Sequence, residues 1–325
     1  MNKTSIVLVA LVSILKIKVN EASQCVARQS ESNVFLYGSL IESFKVDTLS
    51  TCTSRCKQNK VCSSINMNLM NMKCDLNYST KKRLPKNMAS QPSMVYMEIR
   101  DDNATPGTRQ DIPTTSCKKL KADDSLSKSG VYWMKLNEPS SAPFQVFCDM
   151  TTDGGGWTLV YSYTFTRYSS FRTPANAVTP IPNWPVNRSP SGSVPQSTKT
   201  PLSESSRSAM DFSLWKKIGK EFLIKSNISN WVACVEGTGN FVNWVAGSLT
   251  CRVVKAITLP CTTIAPNTLG FGGCGPILKK DDKLQYFFEG RTDLCWPVHD
   301  PCGTSPSSSN HKTNVANPGG AVYIR

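Results

Sequence analysis

The sequence predicts an α+β chain of two disulfide-stapled units, and three observations carry that reading. The 325 residues hold 13 cysteines, the first of them Cys25. Short apolar runs of strand length alternate with Gly, Pro and Asn clusters, and helical periodicity is brief. A polar segment over residues 101–115, with Pro106, Gly107 and Pro113, reads as a linker between residues 25–100 and 116–325. A mature length of about 300 residues also suits two domains.

The N-terminus reads as an export signal over residues 1–23. Lys3 supplies positive charge, Ile6 to Leu15 is rich in Ile, Val and Leu, and Ala22 and Ser23 are small. An apolar run of about ten residues is too short to cross a bilayer but suits a signal core. No later stretch approaches the roughly 18 consecutive apolar residues of a spanning helix, so no transmembrane anchor is expected. Secretion places the cysteines in an oxidising compartment. Only His299 and His311 accompany them and no CxxC pair occurs, so disulfides are favoured over zinc. The odd count leaves one thiol free or bridging to another chain.

The formal charge is +14, and removing residues 1–23 takes away three lysines and one glutamate, leaving +12. A basic secreted surface favours acidic glycans, acidic matrix proteins or lipid head groups, and export argues against nucleic acid. Asn77-Tyr78-Ser79, Asn103-Ala104-Thr105 and Asn227-Ile228-Ser229 fit the glycosylation triplet. Asn187-Arg188-Ser189 also fits, weakened by Pro190.

In the first unit the cysteines run Cys52-x3-Cys56-x5-Cys62-x11-Cys74. Ser50 reads as the cap of a helix that carries Cys52 and Cys56 on one face. Ser63 to Asn68 reads as the strand leading away, and Ser93 to Arg100 as a closing strand. A unit of this size has a marginal core, so staples matter. The stretch LSTCTSRCKQNKVCSSINMN, followed by KCDLN, resembles the PAN/Apple family. The resemblance implies the bridges Cys52–Cys74 and Cys56–Cys62, a helix packed on a curved antiparallel sheet, and binding of proteins or carbohydrates. Six-cysteine members tie an early cysteine to a late one. Cys25 fits the early place, but residues 93–100 offer no partner. Cys25 is therefore the candidate for the odd thiol, free or intermolecular, and a disulfide-linked oligomer would form through it.

In the second unit Val131 to Met134 and Phe144 to Phe147 read as paired strands with Pro139 and Ser140 at the turn. A Cys117–Cys148 bridge would close a loop of roughly 32 residues, which chain entropy values at about 3–4 kcal/mol. Gly154-Gly155-Gly156-Trp157 allows a tight turn with positive φ followed by a bulky anchor. Residues 165–208 are rich in Ser, Thr, Pro and Arg and read as a surface excursion anchored at Trp184. Met210, Leu214, Ile218 and Phe222 recur every four residues and predict a short helix ending near Gly219. The set Cys117, Ser129-Gly130-Val131-Tyr132, Cys148-Asp149-Met150 and Asp153 to Thr158 resembles the start of a fibrinogen C-terminal domain. Gly319 to Arg325 resembles the last strand of such domains. The resemblance implies the Cys117–Cys148 bridge and an α+β domain with a mixed or antiparallel sheet.

Between those ends the likeness fades. Asp281-Asp282 is the nearest acidic pair to the family's calcium loop, but Lys279, Lys280 and Lys283 flank it and too few oxygens are present. No metal or other cofactor is therefore expected. Cys234, Cys251, Cys261, Cys274, Cys295 and Cys302 are expected to form disulfides. Six cysteines allow 15 pairings, and short spacing suggests Cys295–Cys302 or Cys261–Cys274. Trp231, Trp244 and Trp296 are candidates either for stacking on sugar rings or for the core.

Catalysis is not expected. A triad needs His, Ser and an acid together, and no GxSxG elbow or protease-like serine context occurs. His299-Asp300 reads as a small polar pocket or a solvated loop. The whole arrangement is similar to uncharacterised skeletal organic matrix proteins of stony corals. That resemblance implies a secreted, non-catalytic extracellular matrix protein of a calcified skeleton that binds protein or glycan partners. A soluble fibrinogen-like lectin acting in pattern recognition is the alternative.

Overall fold

The computed structural model describes residues 29–100, 106–138, 140–165, 178–186, 196–259, 261–273, 275–281, 283–289, 296–299, 302, 310–312 and 314–325. The expected signal, Cys25, Cys274, Cys295, Asn103, Asn187, Asp282 and Asp300 lie outside them.

The first unit is one antiparallel sheet with one helix. Its elements are β1 (Ser30–Leu36), β2 (Leu40–Lys45), α1 (Leu49–Gln58), β3 (Ser64–Asn68), β4 (Lys73–Asn77) and β5 (Met88–Glu98). The strand order is β1-β5-β3-β4-β2. Helix α1 starts two residues earlier than Ser50 would allow, because Thr48 is the cap and its hydroxyl accepts from the Thr51 N–H at 3.1 Å. Cys52 and Cys56 form the buried face of this helix. Cys52 is bridged to Cys74 on β4, and Cys56 to Cys62 just before β3. Ile65, Met67, Leu76 and Val95 pack beneath them. On β3, the buried Asn66 side chain takes the Leu36 N–H and donates to the Leu36 carbonyl, at 2.9 and 2.8 Å. That exchange ties β3 to the end of β1 across intervening β5.

The second unit is built on a long antiparallel sheet. Its elements begin with α2 (Cys117–Asp123), β6 (Gly130–Met134), β7 (Phe144–Asp149), β8 (Trp157–Phe165), β9 (Val178–Thr179), β10 (Ile181–Pro182) and β11 (Gln196–Ser197). They continue with α3 (Phe212–Ile218), β12 (Phe222–Ser226), β13 (Trp231–Glu236), β14 (Gly247–Lys255), β15 (Thr268–Phe271), β16 (Pro276–Lys280), β17 (Lys283–Glu289), β18 (Trp296–His299) and β19 (Gly319–Ile324). Among the described residues the order is β18-β17-β16-β15-β14-β13-β12-β19-β8-β7-β6, with β9 beside β8. Strands β10 and β11 form a separate parallel pair.

Strands β6 and β7 pair antiparallel, with Val131 opposite Phe147. The Cys117–Cys148 disulfide fastens α2 to β7. Gly154, Gly155 and Gly156 all have positive φ (84°, 75° and 78°), and Trp157 behind them is fully buried. The register of β8 against β19 slips between Leu159 and Tyr161. That extra residue turns the strand over. Trp157 and Leu159 therefore join Leu223 and Tyr323 on one face of the sheet. Tyr161 and Tyr163 join Trp215, Phe222 and Trp184 on the other.

Three sequence expectations need correction. Helix α3 is shorter than the Met210–Phe222 periodicity implied. Asp211 caps it by accepting from the Ser213 N–H, the turn ends at Gly219, and Phe222 already belongs to β12. The expected linker is partly structured on the second unit. Trp133 N–H donates to the Gly107 carbonyl at 2.7 Å, Thr114 N–H to Trp133 at 2.9 Å, and Lys135 N–H to Thr114 at 2.8 Å. These bonds occupy the outer edge of β6, which would otherwise stay unpaired. In the distal half Cys234 is bridged to Cys251 and Cys261 to Cys302, so neither Cys261–Cys274 nor Cys295–Cys302 is present. Cys234 and Cys251 face each other in the β13–β14 ladder, and only that register brings them together.

The two units also touch. Arg83 donates to Asp124 at 2.8 Å, and both side chains are nearly buried. Tyr78 donates to Asp123 at 2.7 Å, and the Ser125 hydroxyl donates to the Arg83 carbonyl at 3.0 Å. The C-terminal end of α2 is thereby docked on the loop after β4.

Candidate functional site

Strand β12 reads Phe-Leu-Ile-Lys-Ser and every residue in it is buried. Alternation sends Phe222 and Ile224 to one face, with Leu223 and Lys225 on the other. A lysine at that place must find counter-charge, because an uncompensated buried ammonium is costly. Lys225 finds two carboxylates. Its Nζ lies 2.7 Å from Asp149 Oδ2 and 2.9 Å from Glu204 Oε1. It also sits over the rings of Trp231 and Tyr323, at 4.9 and 4.7 Å from their centroids.

The two carboxylates differ. Asp149 closes β7, its side chain is 5% exposed, and it accepts from the backbone N–H groups of Thr151 and Thr152, both at 2.9 Å. Burial alone would raise its pKa. The Lys225 hydrogen bond and those of Thr152 and Thr151 outweigh burial and hold the carboxyl well below its usual range. Glu204 stands on the loop before α3 and its side chain is 50% exposed. The Tyr323 hydroxyl donates to it. Burial first, and then the Glu204 charge, push the Tyr323 phenol far up, so it stays a donor.

Above this triad opens a cleft of about 580 Å³. Arg207, Lys225, Lys255 and Lys312 line it, and Glu204 is the one carboxylate among its described lining residues. Arg207, Lys255 and Lys312 are exposed and make no ion pair among the described residues. Lys255 lies 4.7 Å from the Trp231 ring centroid. The Lys312 N–H bonds the Ile228 carbonyl at 2.7 Å, which fixes that residue beside the end of β12. Asn227 spans the mouth, donating to Asn317 and accepting from the Gly319 N–H, both at 2.9 Å. The result is a concave basic surface with one replaceable acid.

The sequence candidates scatter differently. The Trp231 ring carries two ammonium groups and is not an open platform for a sugar. Trp244 packs on Phe271, with ring centroids 4.0 Å apart, and against Trp184 in the core. The side chains of Trp296 and His299 lie outside the description. Asp281 accepts from the Asn267 side chain at 3.0 Å and lies 3.2 Å from Lys280. Asn227 is exposed, whereas Asn77 is 1% exposed within β4. A glycan on Asn77 does not fit this fold, which corrects that assignment. Sequence reasoning quoted Asp149 only as part of a motif and missed Lys225, although a lysine inside an apolar strand was a visible signal.

Comparison with known proteins agrees with the two-unit fold. Residues 25–100 match the PAN domain, and residues 114–168 match the C-terminal globular domain of fibrinogen beta and gamma chains. Human tenascin-N is 43% identical over 56 residues, which is 17% of this chain and 4% of that protein. Rat tenascin-R is 49% identical over 47 residues, 14% of this chain and 3% of that protein. The fibrinogen match ends at residue 168, but its strand β8 is hydrogen-bonded to β19 and so shares one sheet with the rest of the unit. The chain thus joins a PAN domain to a fibrinogen-like domain.

Proposed function

We propose that this is a secreted, non-catalytic matrix protein that retains acidic glycans in the cleft above Lys225. The observation that carries this is the charge imbalance there: Arg207, Lys255 and Lys312 are unpaired among the described residues and surround one concave surface. Clustered like charges raise the local concentration of anions and steer their approach. The whole-chain resemblance supports placing it in the organic matrix of a calcified skeleton, spanning residues 1–23 as signal, 25–100 as PAN/Apple-like domain, 101–115 as a linker whose later part is bonded to β6, and 116–325 as fibrinogen-like domain. A basic protein of this kind bridges acidic macromolecules and does not face the mineral directly. Cys25 would link copies into an oligomer.

An array of acidic and neutral glycans probed with the full chain tests the cleft. Acidic glycans should bind, and the Lys255→Glu/Lys312→Glu variant should lose them. Equal binding by that variant would refute the assignment. Peptides from demineralised skeletal matrix test the location, and consistent absence from that fraction would favour the soluble lectin.

A further inference from the structure

We propose that Glu204 is a built-in stand-in for a ligand carboxylate, so that the cleft admits uronate-bearing sugars by exchange at Lys225. This rests on reading the cleft as a glycan site and names the group recognised there. Lys225 has an inner partner and an outer one. Asp149 is buried and held by two backbone N–H groups, so it stays when the outer partner leaves. Glu204 is half exposed, on a loop, and among the described residues it is held by Lys225 and the Tyr323 hydroxyl. A half-exposed ion pair is weak enough to be replaced.

The vacated position is already set for a carboxylate. One ammonium and one phenol converge on it, both donors fixed on adjacent strands β12 and β19. Lys255 and Lys312 flank the same opening and would hold the rest of an acidic sugar. A ligand carboxylate placed there remakes both bonds that Glu204 gives up, so no polar group is left unpaired in the exchange. Glu204 swings outward, where Arg207, three residues on and exposed, is the nearest cation of its own loop. While Glu204 is seated the binding-competent fraction is small, and the apparent affinity is reduced by that fraction.

The test is the affinity of the full chain for a glucuronate-containing tetrasaccharide and for its carboxyl-reduced form. Glu204→Gln should bind the acidic sugar roughly tenfold more tightly than the parent, as expected if about one molecule in ten is open. Tyr323→Phe keeps the buried ring and every charge but removes a donor that serves whichever carboxylate is seated. In the parent it should change the affinity little, since Glu204 and the sugar lose the same bond. In the Glu204→Gln background only the sugar loses it, and binding should weaken severalfold. The carboxyl-reduced sugar should bind to none of them. Tightening in Glu204→Gln with no loss on adding Tyr323→Phe would mean that net charge alone acts, and would overturn the exchange. Parent binding with no tightening in Glu204→Gln would overturn the exchange and leave the glycan cleft standing. Absence of binding in all four proteins would overturn both.

Discussion

Replacing Lys225 with methionine isolates the charge at the centre of the fold. Methionine matches the lysine stem in length and packs well on the Trp231 and Tyr323 rings, so little packing should be lost. What remains is Asp149 with its side chain 5% exposed and no cation. Removing one partner of a buried ion pair costs about 3–5 kcal/mol, against about 0–1 kcal/mol for an exposed one. The Glu204 contact adds little, since that side chain is 50% exposed. For a unit of this size each kcal/mol moves Tm by about 2–4 °C, so the melting point should fall by roughly 6–20 °C. Calorimetry and urea unfolding at pH 7 read the loss. Adding Asp149→Asn to Lys225→Met should recover a substantial part of it, because the neutral amide still accepts from the Thr151 and Thr152 N–H groups. A loss below about 1 kcal/mol for the single variant would show that the pair behaves as a surface contact, and the reasoning would fail.

The remaining predictions concern pH, a turn and the contact between units. Asp149 has a folded pKa below its unfolded value, as does Glu221, where Arg325 overcomes the effect of burial. Their contribution is complete above the unfolded carboxylate range and is lost as pH falls through the folded values. Tm should therefore stay flat for these groups from pH 7 to 5 and fall below about pH 4, with a shallower acid limb in Asp149→Asn. Gly155→Ala would set a Cβ 2.2 Å from the Met150 carbonyl oxygen at a φ of +75°. It should destabilise the second unit by about 3 kcal/mol or more, whereas alanine at Gly270, where the nearest atom is 4.0 Å away, should change little. Arg83→Ala leaves Asp124 without its partner at the contact between units, so limited proteolysis at residues 100–110 should accelerate while Cys52–Cys74 stays intact. Unchanged cleavage would show that the contact does not hold the units together.

Local chemistry made much of the fold legible. A four-residue step from Cys52 to Cys56 puts both sulfurs on one helix face, and three successive glycines before Trp157 announced positive φ. Both features depend on neighbours in sequence. The cap is an example of how local reading slips, since Thr48 and Ser50 are equally good acceptors and only the backbone decides. The distal half was opaque for a different reason. Strand β19 lies between β8 and β12, so the last strand pairs with one about 160 residues earlier, a pairing with no periodic signature. The cleft has the same origin, with Glu204, Lys225, Lys255 and Lys312 gathered from four separate segments. The triplet at Asn77 shows the converse error, a local pattern that carries no information about burial.

We propose that the basic cleft above Lys225 holds anionic sugar chains. The affinity of the full chain for an acidic polysaccharide, taken at low and high salt for the parent and for Lys255→Glu/Lys312→Glu, tests this. Parent binding should weaken with salt, and the variant should lose at least about tenfold with its melting point unchanged. Equal affinity in the two proteins, or binding indifferent to salt, would contradict it.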